Sequence, residues 1–238
     1  DLLAVPGIKG VKSQSEKFAG ADNTTTYEMM MPDGKALQGC TSHDLGQNFS
    51  KAFDISFQNK EGQNEYVWQT SFGYSTRALG AVVMMHGDDQ GLVLPPKAAP
   101  TQVVIIPIGQ DGEVFRAAEN INLALQDKGI RTKLDIRSEY TLGYKRNEYE
   151  LQGAPFRLAL GAKELENGLV SVSLRHTGQK EQITISEVGE KIPMLLEQIQ
   201  KQMYDKAVAM QESLTSDAKD YEEFKNIMNT KRGFIHAY

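Results

Sequence analysis

The sequence predicts an α/β (α+β) fold in two parts, and three observations carry that prediction. Short strand-like runs around a glycine-containing turn dominate the segment before residue 95. A stiff connection, Pro95-Pro96-Lys97-Ala98-Ala99-Pro100, then interrupts the pattern. Beyond it, apolar runs of strand length alternate with amphipathic helical patterns, as in a mixed sheet covered by helices.

Taken in order, residues 54–58 and 65–72 read as strands joined across the turn 59–64. Paired as a hairpin, they place Trp68, Thr70 and Phe72 on one face and Val67, Gln69 and Ser71 on the other, because strand side chains alternate. Segment 75–85 combines small residues with helical apolar spacing, and Gly87 ends it. After the prolines come a buried-type strand 102–107, an amphipathic helix 113–128 stopped by Gly129, a strand 131–136, a helix 142–152 and a strand 156–160. Residues 169–174 and 182–186 pair across Thr177-Gly178. Ile192, Leu196, Ile199, Met203, Ala207, Met210 and Leu214 then recur at gaps of three and four. That is one long amphipathic helix, its stripe expected to pack on a neighbouring domain. Residues 221–229 form a short helix, and 233–238 read as a strand cut off within a domain. The expected division is 1–98, 99–200 and 201–238.

Composition narrows the function classes. At 238 residues, 40% hydrophobic and 24% charged, the chain is an ordinary globular protein long enough for one large or two smaller domains. It contains no apolar run of about 18 residues, so no membrane span is expected. A single cysteine forms no internal disulfide and excludes a cysteine-rich zinc site in these residues; it suits a reducing, cytoplasmic setting. A net charge of −5 excludes bulk non-specific nucleic-acid binding, so DNA is not an expected partner and RNA contact needs a local patch. The start, Asp1-Leu2-Leu3-Ala4-Val5-Pro6, has neither an initiating Met nor a signal pattern and reads as a fragment or a trimmed product.

Two stretches concentrate hydrogen-bonding side chains: Gln38-Gly39-Cys40-Thr41-Ser42-His43, running on through Leu45-Gly46-Gln47-Asn48-Phe49, and Trp68-Gln69-Thr70-Ser71-Phe72-Gly73-Tyr74-Ser75-Thr76-Arg77. Arg77 stands at the entrance of the uncharged run 78–85, and buried there it needs an anionic partner. Phosphate suits it best, because a guanidinium fork bonds phosphate oxygens two at a time. A cation is poorly placed at a helix start, which argues for a ligand over a merely structural role. Ser75 is placed either to touch that ligand or to cap the helix. Asp88 and Asp89 are expected to organise their loop and not to bind metal, and His86 to tie the helix end to the Gly91 loop.

Together with Lys17-Phe18-Ala19-Gly20-Ala21 and His86-Gly87-Asp88-Asp89-Gln90-Gly91-Leu92-Val93-Leu94-Pro95-Pro96, these strings resemble class II aminoacyl-tRNA synthetases, specifically the prolyl enzymes of the archaeal and eukaryotic type. The resemblance covers nearly the whole chain. It implies part of an antiparallel catalytic sheet followed by a mixed α/β anticodon-binding domain. It further implies that Arg77 is the motif 3 arginine, that Gln38, Thr41, Ser75 and Arg77 bind ATP, and that His43, Trp68, Ser71 and Gly73 bind proline. Arg77 and His43 are then the catalytic pair, with His43 bonding to substrate and not exchanging protons. Gln38, Thr41 and His43 fall on what the family uses as a substrate loop. Position 72 is usually Trp there and is Phe72 here.

Segment 137–180 carries Arg137, Lys145, Arg146, Arg157, Lys163, Arg175 and Lys180 against Glu139, Glu148, Glu150, Glu164 and Glu166, a small local cationic excess interleaved with Tyr140, Tyr144 and Tyr149. Such groups suit unstacked RNA bases. The resemblance implies that Glu150, Arg157, Lys163 and Glu164 read the guanines of the proline anticodon. A carboxylate accepts from guanine N1 and N2, and Arg or Lys meets O6 and N7. Arg146 replaces the family's usual stacking aromatic, and Tyr149 its usual Trp.

Motif 1, motif 2 and the Thr-x-Glu loop lie upstream in the family and are not found here. The resemblance therefore implies a C-terminal fragment, inactive alone, of an enzyme that uses ATP and Mg²⁺ to join L-proline to tRNA(Pro). It also implies a homodimer formed through the upstream region, with zinc only in a C-terminal module beyond this sequence. A catalytically inactive, synthetase-like tRNA-binding protein is the alternative; the retained Gln38, Thr41, His43, Ser75 and Arg77 set argues against it.

Overall fold

The structure, a computed structural model, describes residues 1–237. In chain order the elements are β1 (Ile8–Val11), β2 (Asn23–Met30), β3 (Ala36–Gly46), α1 (Asn48–Ala52), β4 (Ser56–Gln58), β5 (Asn64–Tyr66), β6 (Gln69–Tyr74) and α2 (Arg77–His86). There follow β7 (Val103–Pro107), α3 (Gly112–Asp127), β8 (Thr132–Leu134), α4 (Leu142–Leu151), β9 (Phe156–Leu160), α5 (Ala162–Glu166), β10 (Leu169–Leu174) and β11 (Lys180–Thr184). The last elements are α6 (Val188–Ser213), β12 (Thr215–Ala218), α7 (Tyr221–Thr230) and β13 (Phe234–Ala237). Two compact units divide the chain: Asp1–Val5 with Val82–Val208, and Pro6–Ala81 with Ala209–Tyr238.

The unit of 6–81 and 209–238 is built on an antiparallel sheet ordered β1-β2-β3-β6. The β-branched run Thr24-Thr25-Thr26 favours β2, and Pro32-Asp33-Gly34 turns the chain into β3 with Gly34 at φ +77°. Met29, Met30, Met31 and Leu45 are buried in this unit. The strand expected over 65–72 is two strands. β5 pairs with β4, the chain breaks at Val67-Trp68, and β6 pairs with β3. The short hairpin is held at its turn by Asn59 Oδ1, which accepts from the Glu61 and Gln63 amides. The expected final strand is present as β13, paired in parallel with β12, a strand the sequence pattern did not reveal; Tyr238 lies outside the described residues. Gly233 is required at that junction. It sits at φ +96°, and a Cβ there would fall 1.9 Å from the Leu214 carbonyl oxygen.

In the unit of 1–5 and 82–208 the sheet order is β11-β10-β9-β7-β8. β7 runs parallel to β8 and β9, while β9, β10 and β11 are antiparallel. One face carries Val103, Ile105, Phe156, Leu158, Val170 and Val172, packed with Val114, Ala118, Ile121 and Leu125 of α3. The same core receives Ile192, Leu196, Ile199 and Met203, so the α6 stripe covers this unit's own sheet and not a neighbouring domain. On the opposite face Val104 and Ile106 meet Tyr149 of α4 and Ala154. β7 is apolar throughout and β9 is apolar except for Arg157, because both their faces are covered.

Candidate functional site

Gln38, Thr41 and His43 lie on β3, in the middle of a sheet and not in the loop expected of them. Register then decides what they meet. Thr41 stands opposite Gly73, and His43 opposite Ser71, so all four share one face of the β3–β6 pair. On the other side of β3, His43 pairs with Thr24, Thr41 with Thr26 and Gln38 with Glu28. A bulge between Tyr27 and Glu28 shifts the register there. Because Thr26 and Glu28 share a face of β2, the bulge brings Gln38 onto the face of Thr41 and His43. The result is one polar sheet face assembled from residues of three strands.

The details show what each group is free to do. His43 uses both ring nitrogens, Nδ1 with Thr24 Oγ1 at 2.9 Å and Nε2 with Thr41 Oγ1 at 3.0 Å, and its ring lies 4.7 Å from that of Phe18. Both ring nitrogens are thus engaged with threonine hydroxyls, which fixes the ring in place. Gln38 Oε1 accepts from Lys12 Nζ at 2.7 Å. Gly73 is needed by its neighbour: a Cβ would stand 2.6 Å from Thr41 Oγ1. Trp68 lies outside the strands and is 76% exposed, and Phe72, on the face of β6 opposite Ser71 and Gly73, is 77% exposed.

Arg77 opens α2. The expectation of burial is not met, because Arg77 is exposed; among the described residues it has no ion-pair partner. Ser75 Oγ accepts from the Arg77 amide at 3.3 Å, the capping bond foreseen for it. Ala78, Ala81 and Val82 are buried, whereas Leu79, Val83 and Met84 are exposed, so the run after Arg77 packs on one side only.

In the 82–208 unit, Glu150 ends α4 and Arg157 projects from β9 on the face that α4 covers. Arg157 Nη1 donates to Glu150 Oε2 at 3.0 Å and to the Arg146 carbonyl at 2.9 Å, while its buried Nε has no partner among the described residues. Lys163, on α5, is exposed. Glu164 folds back on its own segment, accepting from the Gly161 amide at 3.2 Å and from Ser171 Oγ at 3.3 Å. The structure thus joins Glu150 to Arg157 and gives Glu164 a capping role.

The cationic excess of 137–180 is largely spent inside the fold. Arg137 donates to Asp135 at 2.9 and 2.7 Å and to Glu148 at 2.5 Å, and Lys145 lies 3.4 Å from Asp135 Oδ1. Tyr149 is buried, its hydroxyl donating to Asp135 Oδ2 at 3.1 Å, so it offers no RNA surface. Burial pushes the Asp135 carboxyl up, but the bonds from Arg137, Lys145 and Tyr149 outweigh it and hold the group well below the carboxylate range. Tyr149 is pushed up to about 12 by burial and by Asp135. Arg175 grips Asp88. Among the described residues, Arg146, Lys163 and Lys180 remain without side-chain partners and Tyr140 and Tyr144 stack at 4.4 Å on the surface. His86 bonds to the Leu3 carbonyl at 3.0 Å and not to the Gly91 loop, which Asp88 organises instead. No cluster of His, Cys, Asp and Glu that could hold a metal occurs among the described residues.

The polar sheet face thus leads in sequence to the exposed Arg77, and a separate α/β unit carries the Glu150–Arg157 pair. Residues 102–195 match the family described as the anticodon binding domain. Along its whole length the chain is a relative of the prolyl-tRNA synthetases, which are class II aminoacyl-tRNA synthetases. It is 46% identical over 242 residues to the proline--tRNA ligase of Flavobacterium johnsoniae, spanning 100% of this chain and 49% of that one. The Rubrobacter xylanophilus ligase is also 46% identical, over 100% of this chain and 50% of its own. The crystal structure of prolyl-tRNA synthetase from Cryptosporidium parvum complexed with L-proline and AMP superposes with a TM-score of 0.86 and 42% identity, over 97% of this chain and 50% of that one. The chain spans about half the length of the curated relatives it matches. No helix among the described residues is long and apolar enough to cross a membrane.

Proposed function

We propose that this chain is the part of a cytoplasmic prolyl-tRNA synthetase that holds one wall of the ATP and proline site and reads the anticodon of tRNA(Pro). The observation that carries the reading is the register of β2, β3 and β6, which gathers Gln38, Thr41, His43, Ser71 and Gly73 on one face. It does so in a chain 46% identical to proline--tRNA ligases. A related synthetase has been crystallised with L-proline and AMP, the fragments that make up an acyl-adenylate.

In this reading the parent enzyme first joins the proline carboxylate to the α-phosphate of ATP, releasing pyrophosphate, and then passes the prolyl group to a tRNA hydroxyl. Both steps concentrate charge on phosphate oxygens, so positioning and electrostatics carry most of the work. Arg77 supplies a guanidinium fork that has no ion-pair partner among the described residues. Gln38, Thr41 and Ser75 offer amide and hydroxyl groups to ATP, and His43, Ser71, Gly73 and Trp68 form the proline side. His43, fixed by Thr24 and Thr41, orients substrate without taking its proton. Magnesium would serve the phosphate chemistry in such enzymes, its ligation not being completed by this chain alone, and no step through it is assigned to these residues. Glu150, Arg157, Lys163 and Glu164 form the guanine-reading set, and dimerisation belongs to regions outside these residues.

The decisive experiment is amino-acid-dependent ATP–pyrophosphate exchange by the full-length parent, with proline, threonine, histidine, glycine, serine and alanine offered in parallel. Exchange dominated by proline is expected, and Arg77→Ala should lower it by orders of magnitude without unfolding the protein. Silence with every amino acid would move the assignment to a catalytically inactive tRNA-binding relative.

A further inference from the structure

Asn147, Glu150 and Leu151 stand at i, i+3 and i+4 on α4 and share one side of the helix. With Gln90 they line a cavity of about 430 Å³. Gln90 comes from the Asp88–Gly91 turn, whose position is fixed. Asp88 and Gly91 exchange backbone hydrogen bonds of 3.1 and 3.0 Å, and the Gln90 amide donates to Asp88 Oδ1 at 2.9 Å. Arg175, only 3% exposed, grips the Asp88 carboxylate with two bonds of 2.8 and 2.6 Å. Its Nε donates to the Glu150 carbonyl at 3.0 Å. The Leu92 amide donates to the Leu151 carbonyl at 3.0 Å. A Cβ on Gly91 would stand 2.7 Å from Leu151 Cα, so only glycine allows this approach. The turn and the end of α4 are therefore one preorganised surface.

Among the described residues the side-chain amides of Gln90 and Asn147 have no hydrogen-bond partner, and both residues are exposed. Leu151 beside them is 63% exposed. Amides beside an exposed apolar side chain suit an unstacked nucleobase, its edge bonded to the amides and its face against the apolar surface. Resting on the anticodon reading above, we propose that this cavity receives the loop base adjacent to the guanines read by Glu150 and Arg157. Gln90 and Asn147 read its edge.

The test is fluorescence anisotropy of the 238-residue chain with a synthetic RNA hairpin whose loop carries two adjacent guanines, and with hairpins in which every other loop base is replaced in turn. Gln90→Ala and Asn147→Ala should each weaken binding about tenfold, the size of one base-edge contact, and erase the preference at one position beside the guanines. The dependence of affinity on salt should not change. Affinity within twofold of wild type on every hairpin, for both variants, overturns the proposal; so does a loss that is equal on all hairpins. Arg157→Ala separates the two readings. If it abolishes guanine preference while the Gln90 and Asn147 variants bind as wild type, the anticodon reading stands and the base cavity falls. If the wild-type chain itself shows no guanine preference, both fall.

Discussion

Removing the Asp135 carboxylate would leave Lys145 and Arg137 facing each other, Lys145 with a side chain only 6% exposed. An uncompensated buried charge is costly, so Asp135→Ala should destabilise the 82–208 unit by about 3–5 kcal/mol. The check is the midpoint of urea unfolding followed by circular dichroism. Asp88 makes a different prediction. The hydrogen bonds from Arg175 lower its carboxyl to about 2 from an ordinary 3.8. A depressed carboxylate stabilises the fold above its unfolded pKa, and that contribution disappears as pH falls through the folded value. Stability should therefore drop between about pH 4 and pH 2, and Arg175→Met should flatten that part of the profile, read by acid titration at fixed urea. The second pair was not legible in the sequence. Asp135 and Arg137 are adjacent enough to suggest a pair, but Asp88 and Arg175 are 87 residues apart.

Capping was better encoded. Asp111 precedes α3 and accepts from the Glu113 amide at 2.8 Å, and Thr141 caps α4 through the Tyr144 amide at 3.2 Å. Asp111→Ala should cost about 1 kcal/mol, measured as a shift of the urea midpoint. Helices 113–128 and 142–152 and strands 102–107 and 156–160 were predicted to within a residue or two, because long apolar periodicity and local stop signals specify them. The region 23–46 shows the opposite. Its strands are rich in Thr, Gln, Ser and His with little apolar alternation, and only their partners make them strands. Gly73 belongs to that tertiary logic. Gly73→Ala should push Thr41 Oγ1 away and loosen its bond to His43, visible as a shifted His43 ring resonance in NMR without global unfolding.

For the whole molecule, the internal pairing of Arg137, Lys145, Arg157 and Arg175 leaves few cations for phosphate. With Lys163 assigned to the guanines, Arg146 and Lys180 are the cations of segment 137–180 left for phosphate, and the slope of log affinity for the anticodon hairpin against log salt should be about −1.4, from roughly −0.7 per single-strand phosphate contact. A steep slope near that of bulk electrostatic binders would contradict this. The 238-residue chain is also expected to bind that hairpin while showing no proline-dependent pyrophosphate exchange of its own. The sequence by itself determined the α/β character, most of the helices and strands beyond residue 102, and the short motifs that mark a synthetase, all of them local in the chain. The tertiary structure alone decided which polar residues share a face and which charges are free. Cross-strand register, a single bulge and ion pairs between distant residues set those relations, and none of them leaves a periodic trace in one sequence.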